Sequence, residues 1–262
     1  MPISGPDVLL YEKKNKIVTM TMNRPERMNS LNTELQDCLA DAWKNFEDDD
    51  DAWVAILTGA GDKAFCAGQD LRERAEIDKT GDFYKKRKRQ ILNCAPPWIS
   101  KPTIAAINGF AFAGGWMMAQ ICDIRIAAEH AEMGISETRW NLGVSWACDL
   151  TRQVNLGHAL EIVLWGDGRI NARRAYEMGW VNRVVPKEKL MEEAMSWAER
   201  MTYLGPRSVR NAKEILYRCY YMPTEQGRRF GAAVEQNLQG MEDTLEGPRA
   251  FAEKRKPQFK DK

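Results

Sequence analysis

The chain has 262 residues, 44% of them hydrophobic, and its 38 Lys and Arg against 37 Asp and Glu give a formal net charge of +1. That length suits one large α/β domain or a domain with an appendage, and the balanced charge speaks against a nucleic-acid-binding protein. No apolar run approaches the roughly 20 residues of a membrane span, MPISGPDVLLYEKK lacks the order of a signal peptide, and six cysteines without a C-x-x-C pair, beside two histidines, offer no zinc framework. A reduced, cytoplasmic protein without a metal is expected.

Val8–Tyr11 and Ile17–Met22 are predicted strands of a meander joined by the polar turn Lys13–Lys16, and Asn23-Arg24-Pro25 ends the second. Asn32 or Thr33 caps a helix whose apolar stripe is Leu35, Cys38, Leu39, Ala42, Trp43 and Phe46. The acidic run Asp48–Asp51 reads as solvated loop, and Val54–Thr58 as a buried strand stopped by Gly59-Ala60-Gly61. Ala64 to Leu71 is a small-residue segment hinged at Gly68. A charged helical segment is expected between Glu73 and Asn93. Its basic run Lys85–Arg89 reads first as a solvated face and second as an attractor for an anionic ligand.

Thr103–Ile107 is short, β-branched and apolar, so a buried strand is expected there. Asn108-Gly109 breaks it, and Ala113-Gly114-Gly115 opens a helix through Trp116, Met117, Met118 and Ala119. Ile124–Ala127 is a further strand, followed by the loop Met133–Trp140, a helix at Leu160–Trp165 and a helix start at Asn171–Ala175. Beyond Lys187 the pattern is helical: Lys189–Thr202, Ser208–Arg218 and Thr224–Leu238, broken at Gly205-Pro206 and Met222-Pro223. Mixed strand and helix followed by helix alone predicts a core, residues 1–200, with a helical appendage, residues 201–262.

The corner at Gly114-Gly115 carries chemistry as well as geometry. The first amides of a helix have no intrahelical acceptor and sit at the positive end of its dipole. Without a Cβ, a carbonyl oxygen can approach them closely. No Lys-Ser/Thr follows as in a phosphate-binding loop, so the corner suits an oxyanion, or else serves only tight packing.

NRPERMNSLN, LTGAGDKAFCAGQDL, KPTIAAINGFAFAGG, CDIRIAAEHAEMGISE, ARRAYEMGWVNRVVP and AFAEKRKPQF together resemble, in order and spacing, the crotonase (enoyl-CoA hydratase/isomerase) superfamily. The resemblance spans nearly the whole chain. It implies an α/β fold of repeated ββα units in a superhelix, with a helical C-terminal region for trimerisation, hence a homotrimer or a hexamer built from two trimers. It also implies an acyl-CoA thioester as ligand, with coenzyme A entering as part of the substrate rather than as a permanently bound cofactor. By position, the thioester oxygen would lie between the main-chain amides of Gln69 and Gly114. Ala67, Asp70 and Leu71 flank the first amide. Arg24 and Arg27 fall where the family contacts CoA, and Lys256 with Phe259 falls in a tail lent to a neighbouring subunit's pocket.

Hydratases of this family usually carry two glutamates, and the chain departs from that pattern. The first position is Met117, and the second is Glu137 in Gly134-Ile135-Ser136-Glu137. A carboxylate beside Trp140 and Met117 should have its pKa raised by desolvation, which suits acid/base work near neutral pH. The competing reading is a structural ion pair, for instance with Arg139. Asp149 could enter the pocket or simply charge a helix start, and Asp123 reads as structural. Trp116, Trp140 and Trp146 are either core or a flat wall for a cyclic or aromatic acyl group. Ser136–Trp140 resembles the hydroxycinnamoyl-CoA hydratase-lyases, but Arg74 stands where that subgroup has a tyrosine. The leading expectation is an enoyl-CoA hydratase-type lyase with Glu137 as acid/base. An enoyl-CoA isomerase and a catalytically silent acyl-CoA-binding protein are the alternatives.

Overall fold

The computed structural model describes residues 8–79, 94 and 98–262. The basic run Lys85–Arg89 lies outside the described residues. Strands β1 (Leu9–Lys14) and β2 (Ile17–Met22) form an antiparallel hairpin. The turn is tighter than the sequence predicts: strand pairing runs to Lys14 and Ile17, leaving only Asn15 and Lys16, both at positive φ (50° and 68°). Such a two-residue turn matches the right-handed twist of its strands.

Helix α1 (Thr33–Asp48) is capped by the Asn32 side chain, which accepts from the Leu35 amide, and buries Leu35, Leu39, Ala42, Trp43 and Phe46. Next come β3 (Val54–Gly59), β4 (Ala64–Cys66), α2 (Leu71–Lys79), β5 (Thr103–Ile107), β6 (Phe110–Phe112), α3 (Gly114–Gln120), β7 (Ile124–Ala128) and β8 (Glu132–Gly134). A large sheet has the order β1-β2-β3-β5-β7 and ends on β10 (Arg183–Val185); a smaller one has the order β4-β6-β8-β9, the last being Ile170–Asn171. After the hairpin β1-β2, which lies wholly in the large sheet, the pairs β3-β4, β5-β6 and β7-β8 each send their first strand to the large sheet and their second to the small one. Successive units pair in parallel in both sheets, β3 with β5 with β7 and β4 with β6 with β8. Repeating that step winds the chain into a superhelix.

The inner strands β3, β5 and β7 of the large sheet are near-continuous buried runs because both their faces are covered, whereas the edge strand β1 is largely exposed. Ala55, Leu57, Ala105, Ile107 and Ala127 point into one core with α1 and α3. Val54, Ile56, Ile104, Ala106 and Ile126 point into another, closed by Leu190, Ala194 and Ala198. Those three residues lie on a helix spanning Leu190–Thr202. It follows α4 (Leu156–Leu164) and α5 (Ala172–Glu177) and is therefore α6.

Helix α4 begins ahead of the expected Leu160, because Asn155 caps it from the His158 amide. Helices α7 (Pro206–Cys219) and α8 (Thr224–Glu235) fall where the periodicity places them. A further helix, α9 (Glu242–Ala252), completes the helical appendage; the sequence reading set no separate bounds for it, and Pro248 lies inside it. The short strands of the small sheet are likewise absent from the sequence reading, being too brief for an alternation to register.

Candidate active site

The small sheet positions the site. Its strands β4, β6 and β8 run parallel, so their carboxyl ends lie side by side, where α/β sheets offer a crevice for ligands. Ala67-Gly68-Gln69 leaves the end of β4, Ala113-Gly114 the end of β6, and Ser136-Glu137 the end of β8. Phe112 pairs with Gly134, and the Ala113 amide donates to the Gly134 carbonyl at 2.9 Å. This register carries Glu137 to the corner.

The first loop is pinned by a short bridge to Leu31. The Leu31 amide donates to the Gly68 carbonyl at 2.8 Å, and the Asp70 amide to the Leu31 carbonyl at 3.1 Å. With its neighbours turned toward Leu31, the intervening Gln69 amide points to the opposite side. Gly68 has φ +93°, and a Cβ there would lie 3.3 Å from the Gly114 nitrogen; one on Gly114 would lie 3.8 Å from the Gln69 nitrogen. The two amides therefore adjoin. Ala113 itself holds φ 53° and ψ −121°, a sparsely populated conformation for a residue with a Cβ. That backbone turn aims the first amides of α3 out of the sheet.

One cavity gathers Ala67, Gln69, Leu71, Gly114, Met117, Glu137 and Trp140 from among the expected residues. Leu31, Gln36, Arg74, Cys94, Leu142 and Trp146 also line it. Glu137 is the only acidic and Arg74 the only basic lining residue among the described residues. The Glu137 backbone is fixed by its carbonyl, which accepts from the amides of Trp140 (3.0 Å) and Leu142 (2.9 Å). Its Oε2 is buried with no hydrogen-bond partner among the described residues. Burial pushes its carboxyl up to about 7, only partly offset by the Glu137 and Ser136 amides and the Trp146 indole. The Arg139 guanidinium lies over the Trp140 ring at 5.1 Å, and among the described residues no ion pair joins it to Glu137.

Other expected residues stand apart from the cavity. Arg24 pairs with Asp70 at 2.9 Å, both nearly buried, and also donates to the Ser30 carbonyl. Asp70 in turn accepts from the Arg72 amide at 3.1 Å at the start of α2. Burial alone would raise the Asp70 pKa, but Arg24 and the Arg72 and Glu73 amides outweigh it and hold the carboxyl below its usual range. This pair ties the first loop to the turn after β2. Arg27 is exposed, and Lys256 lies over the Tyr203 ring at 4.5 Å. Phe259 packs half-buried against the second core of its own chain.

Trp116 does not wall the cavity. It is fully buried, stacks on Trp180 with ring centroids 3.8 Å apart, and donates to the Gln120 side chain at 3.1 Å. A helix rotates consecutive residues by about 100°, so Met117 faces the cavity and Trp116 the core. Asp149 lies outside the cavity as well, 3.6 Å from Arg152. Asp123 accepts from Thr103, Lys213 and Tyr217, linking β5 to α7. Arg74 was passed over as a lining residue; its signal was its place one turn after Asp70-Leu71.

The family model described as enoyl-CoA hydratase/isomerase matches residues 12–262. The enoyl-CoA hydratase EchA19 of Mycobacterium tuberculosis is 36% identical over 99% of this chain and 98% of its own length. The (E)-benzylidenesuccinyl-CoA hydratase of Thauera aromatica is 35% identical over 95% and 97%. A crystal structure of an enoyl-CoA hydratase from Bacillus anthracis superposes with a TM-score of 0.90 at 34% identity, covering 97% of this chain and 100% of that one. With strands paired two sheets at a time and the match running almost end to end, the chain belongs to the enoyl-CoA hydratase/isomerase family.

Proposed function

We propose that the chain is an enoyl-CoA hydratase-type lyase with Glu137 as its acid/base group and the Gln69 and Gly114 amides as its oxyanion hole. The observation that carries this reading is the buried, unpartnered Glu137 oxygen in the cavity that also holds both amides. Ionised Glu137 takes a proton from water as the water oxygen bonds to the β-carbon. The electron pair of the double bond moves toward the thioester oxygen, where two amides receive the charge. Each donor of this kind is worth about 3 kcal/mol. Glu137 then returns a proton to the α-carbon, the carbonyl reforms, and the carboxylate is regenerated. One carboxyl suffices because it takes one proton and gives one back. The chemistry uses the thioester and the chain's own groups, with CoA entering as part of the substrate.

A bulky or aromatic acyl group is favoured. Met117 occupies the position of a second glutamate, and Trp140 and Trp146 supply flat apolar surface. The Thauera relative is named for a thioester bearing an aryl group. The same lone carboxyl could instead move a proton between two carbons, which is isomerisation. Crotonyl-CoA, a 3-enoyl-CoA and an aromatic 2-enoyl-CoA, offered in parallel, separate these readings. Loss of conjugated-enoyl absorbance, greatest with the aromatic compound, is expected. Appearance of that absorbance from the 3-enoyl compound would favour isomerisation, and no change with any would indicate a silent binding protein.

Residues 201–262 are assigned to assembly into a homotrimer or a hexamer. Leu216, Tyr221, Leu245 and Phe251 are each more than half exposed in the single chain. A mass in solution of three or six chains is the expected result, and a monomer at micromolar concentration would refute it.

A further inference from the structure

We propose that the outer face of α4 is an interface with a second copy of this chain, whose helical C-terminal region packs on it and closes the candidate cavity over Trp140. This interface extends the assembly assigned above beyond residues 201–262, and it depends on neither the reaction nor the substrate. Helix α4 is apolar on both sides. Ala159 and Ile162 face the core, while Leu156, Leu160 and Leu164 recur every fourth residue on the opposite side and are 62%, 46% and 67% exposed. A helix that is apolar all round is a buried helix. Trp165, 68% exposed, continues the stripe. The rim of the cavity adjoins it. The Thr138 hydroxyl donates to the Val163 carbonyl at 2.9 Å, and a Cβ on Gly166 would lie 2.8 Å from the Arg139 nitrogen. Trp140 lines the cavity from that rim, yet it is 57% exposed.

Size and charge point to the occupant. Trp140 and Trp165 alone offer roughly 200–300 Å². With three leucines added, the patch exceeds the few hundred Å² of contiguous apolar surface that a monomer commonly exposes. A helix that lies on a membrane carries Lys and Arg on its polar face. Helix α4 has neither, and its one carboxylate, Glu161, is paired with Arg174 at 3.1 Å. An apolar stripe without unpaired charge suits a permanent interface, and the partner always present in equal number is the chain itself. A row of residues four apart forms a ridge that packs into the grooves of another helix. The appendage carries the match, with Leu216 on α7 and Leu245 on α9 both exposed. On one chain the two surfaces are continuous. The guanidinium of Arg152, four residues before α4, lies over the ring of Tyr221, just beyond α7, at 4.6 Å. Two different patches that meet head to tail close a ring of identical chains. A copy seated on α4 shields Trp140 from solvent and completes the apolar wall of the cavity.

Light scattering and hydroxyl-radical footprinting of the purified full-length chain test this without any ligand, so it can fail independently of the hydratase reading. The wild-type mass should be a multiple of the 29.9 kDa of one chain. Leu160→Arg combined with Leu164→Arg should reduce it to that of one chain at micromolar concentration and speed the oxidation of Trp140 and Trp165 several-fold. A second variant guards against a folding defect. Leu156→Ala, Leu160→Ala and Leu164→Ala together keep the helix propensity. They should leave the circular dichroism unchanged while raising the concentration at half-assembly about tenfold or more. Variants that assemble as tightly as wild type would overturn the proposal and leave the role of residues 201–262 intact. An assembled wild type whose Trp140 and Trp165 oxidise as fast as in the arginine variant would overturn it as well. A stable wild-type monomer would leave the stripe to a different protein and overturn both.

Discussion

Glu137→Gln is expected to lower turnover by roughly 10²–10⁴ while the affinity for a CoA thioester changes only a few-fold. The amide fills the same space but can neither take a proton from water nor return one. Near-normal turnover in the folded variant would remove Glu137 from the chemistry. The pH profile gives a second reading of the same group. Its pKa is raised to about 7 by burial, and in the proposed mechanism it is the ionised form that starts both hydration and its reverse. The wild-type kcat/KM should therefore rise through a pH of about 7 and level off above it. The stability has the opposite slope. An unfolded chain ionises this carboxyl at about 4.5, whereas the folded one keeps the proton to about 7, so rising pH between those values destabilises the fold. Urea unfolding of Glu137→Gln should lack this fall, and an unchanged slope would mean that the carboxyl is not desolvated as described.

Gly115→Ala should cost more stability than any other single methyl at the corner. A Cβ at that position would lie 1.9 Å from the Cys66 carbonyl oxygen and 2.7 Å from its carbon, both backbone atoms of the buried strand β4. No side-chain rotation can relieve that overlap, so α3 must move off the small sheet. A loss of about 3 kcal/mol or more, or failure to fold, is expected from urea titration. Gly114→Ala differs in kind. Its Cβ meets first the flexible Leu31 side chain at 3.1 Å and points to within 3.8 Å of the Gln69 nitrogen. It should remain folded and lose activity by crowding the space between the two amides. A Gly115→Ala protein as stable as wild type would contradict the close contact of α3 with β4.

Much of this molecule was legible in residue order alone. The apolar runs at Thr103–Ile107 and Val54–Thr58 could hardly be other than buried strands, and the stripe from Leu35 to Phe46 is one helix face. Local signals sufficed there because burial, period and capping all act within a few residues. The Gly114-Gly115 corner was also visible, but its use was not, since a tight turn and an oxyanion site have the same glycines. Strand pairing decided which residues that corner meets. Only the parallel register of β4, β6 and β8, strands of three residues each, brings Gln69, Gly114 and Glu137 to one cavity. Side-chain direction separated Met117 from its neighbour Trp116, and tertiary partners set Arg24 against Asp70 rather than open to the solvent. Residues far apart in sequence meet through pairing and packing, which no local pattern encodes; a carboxyl's proton affinity follows from the water that such packing removes.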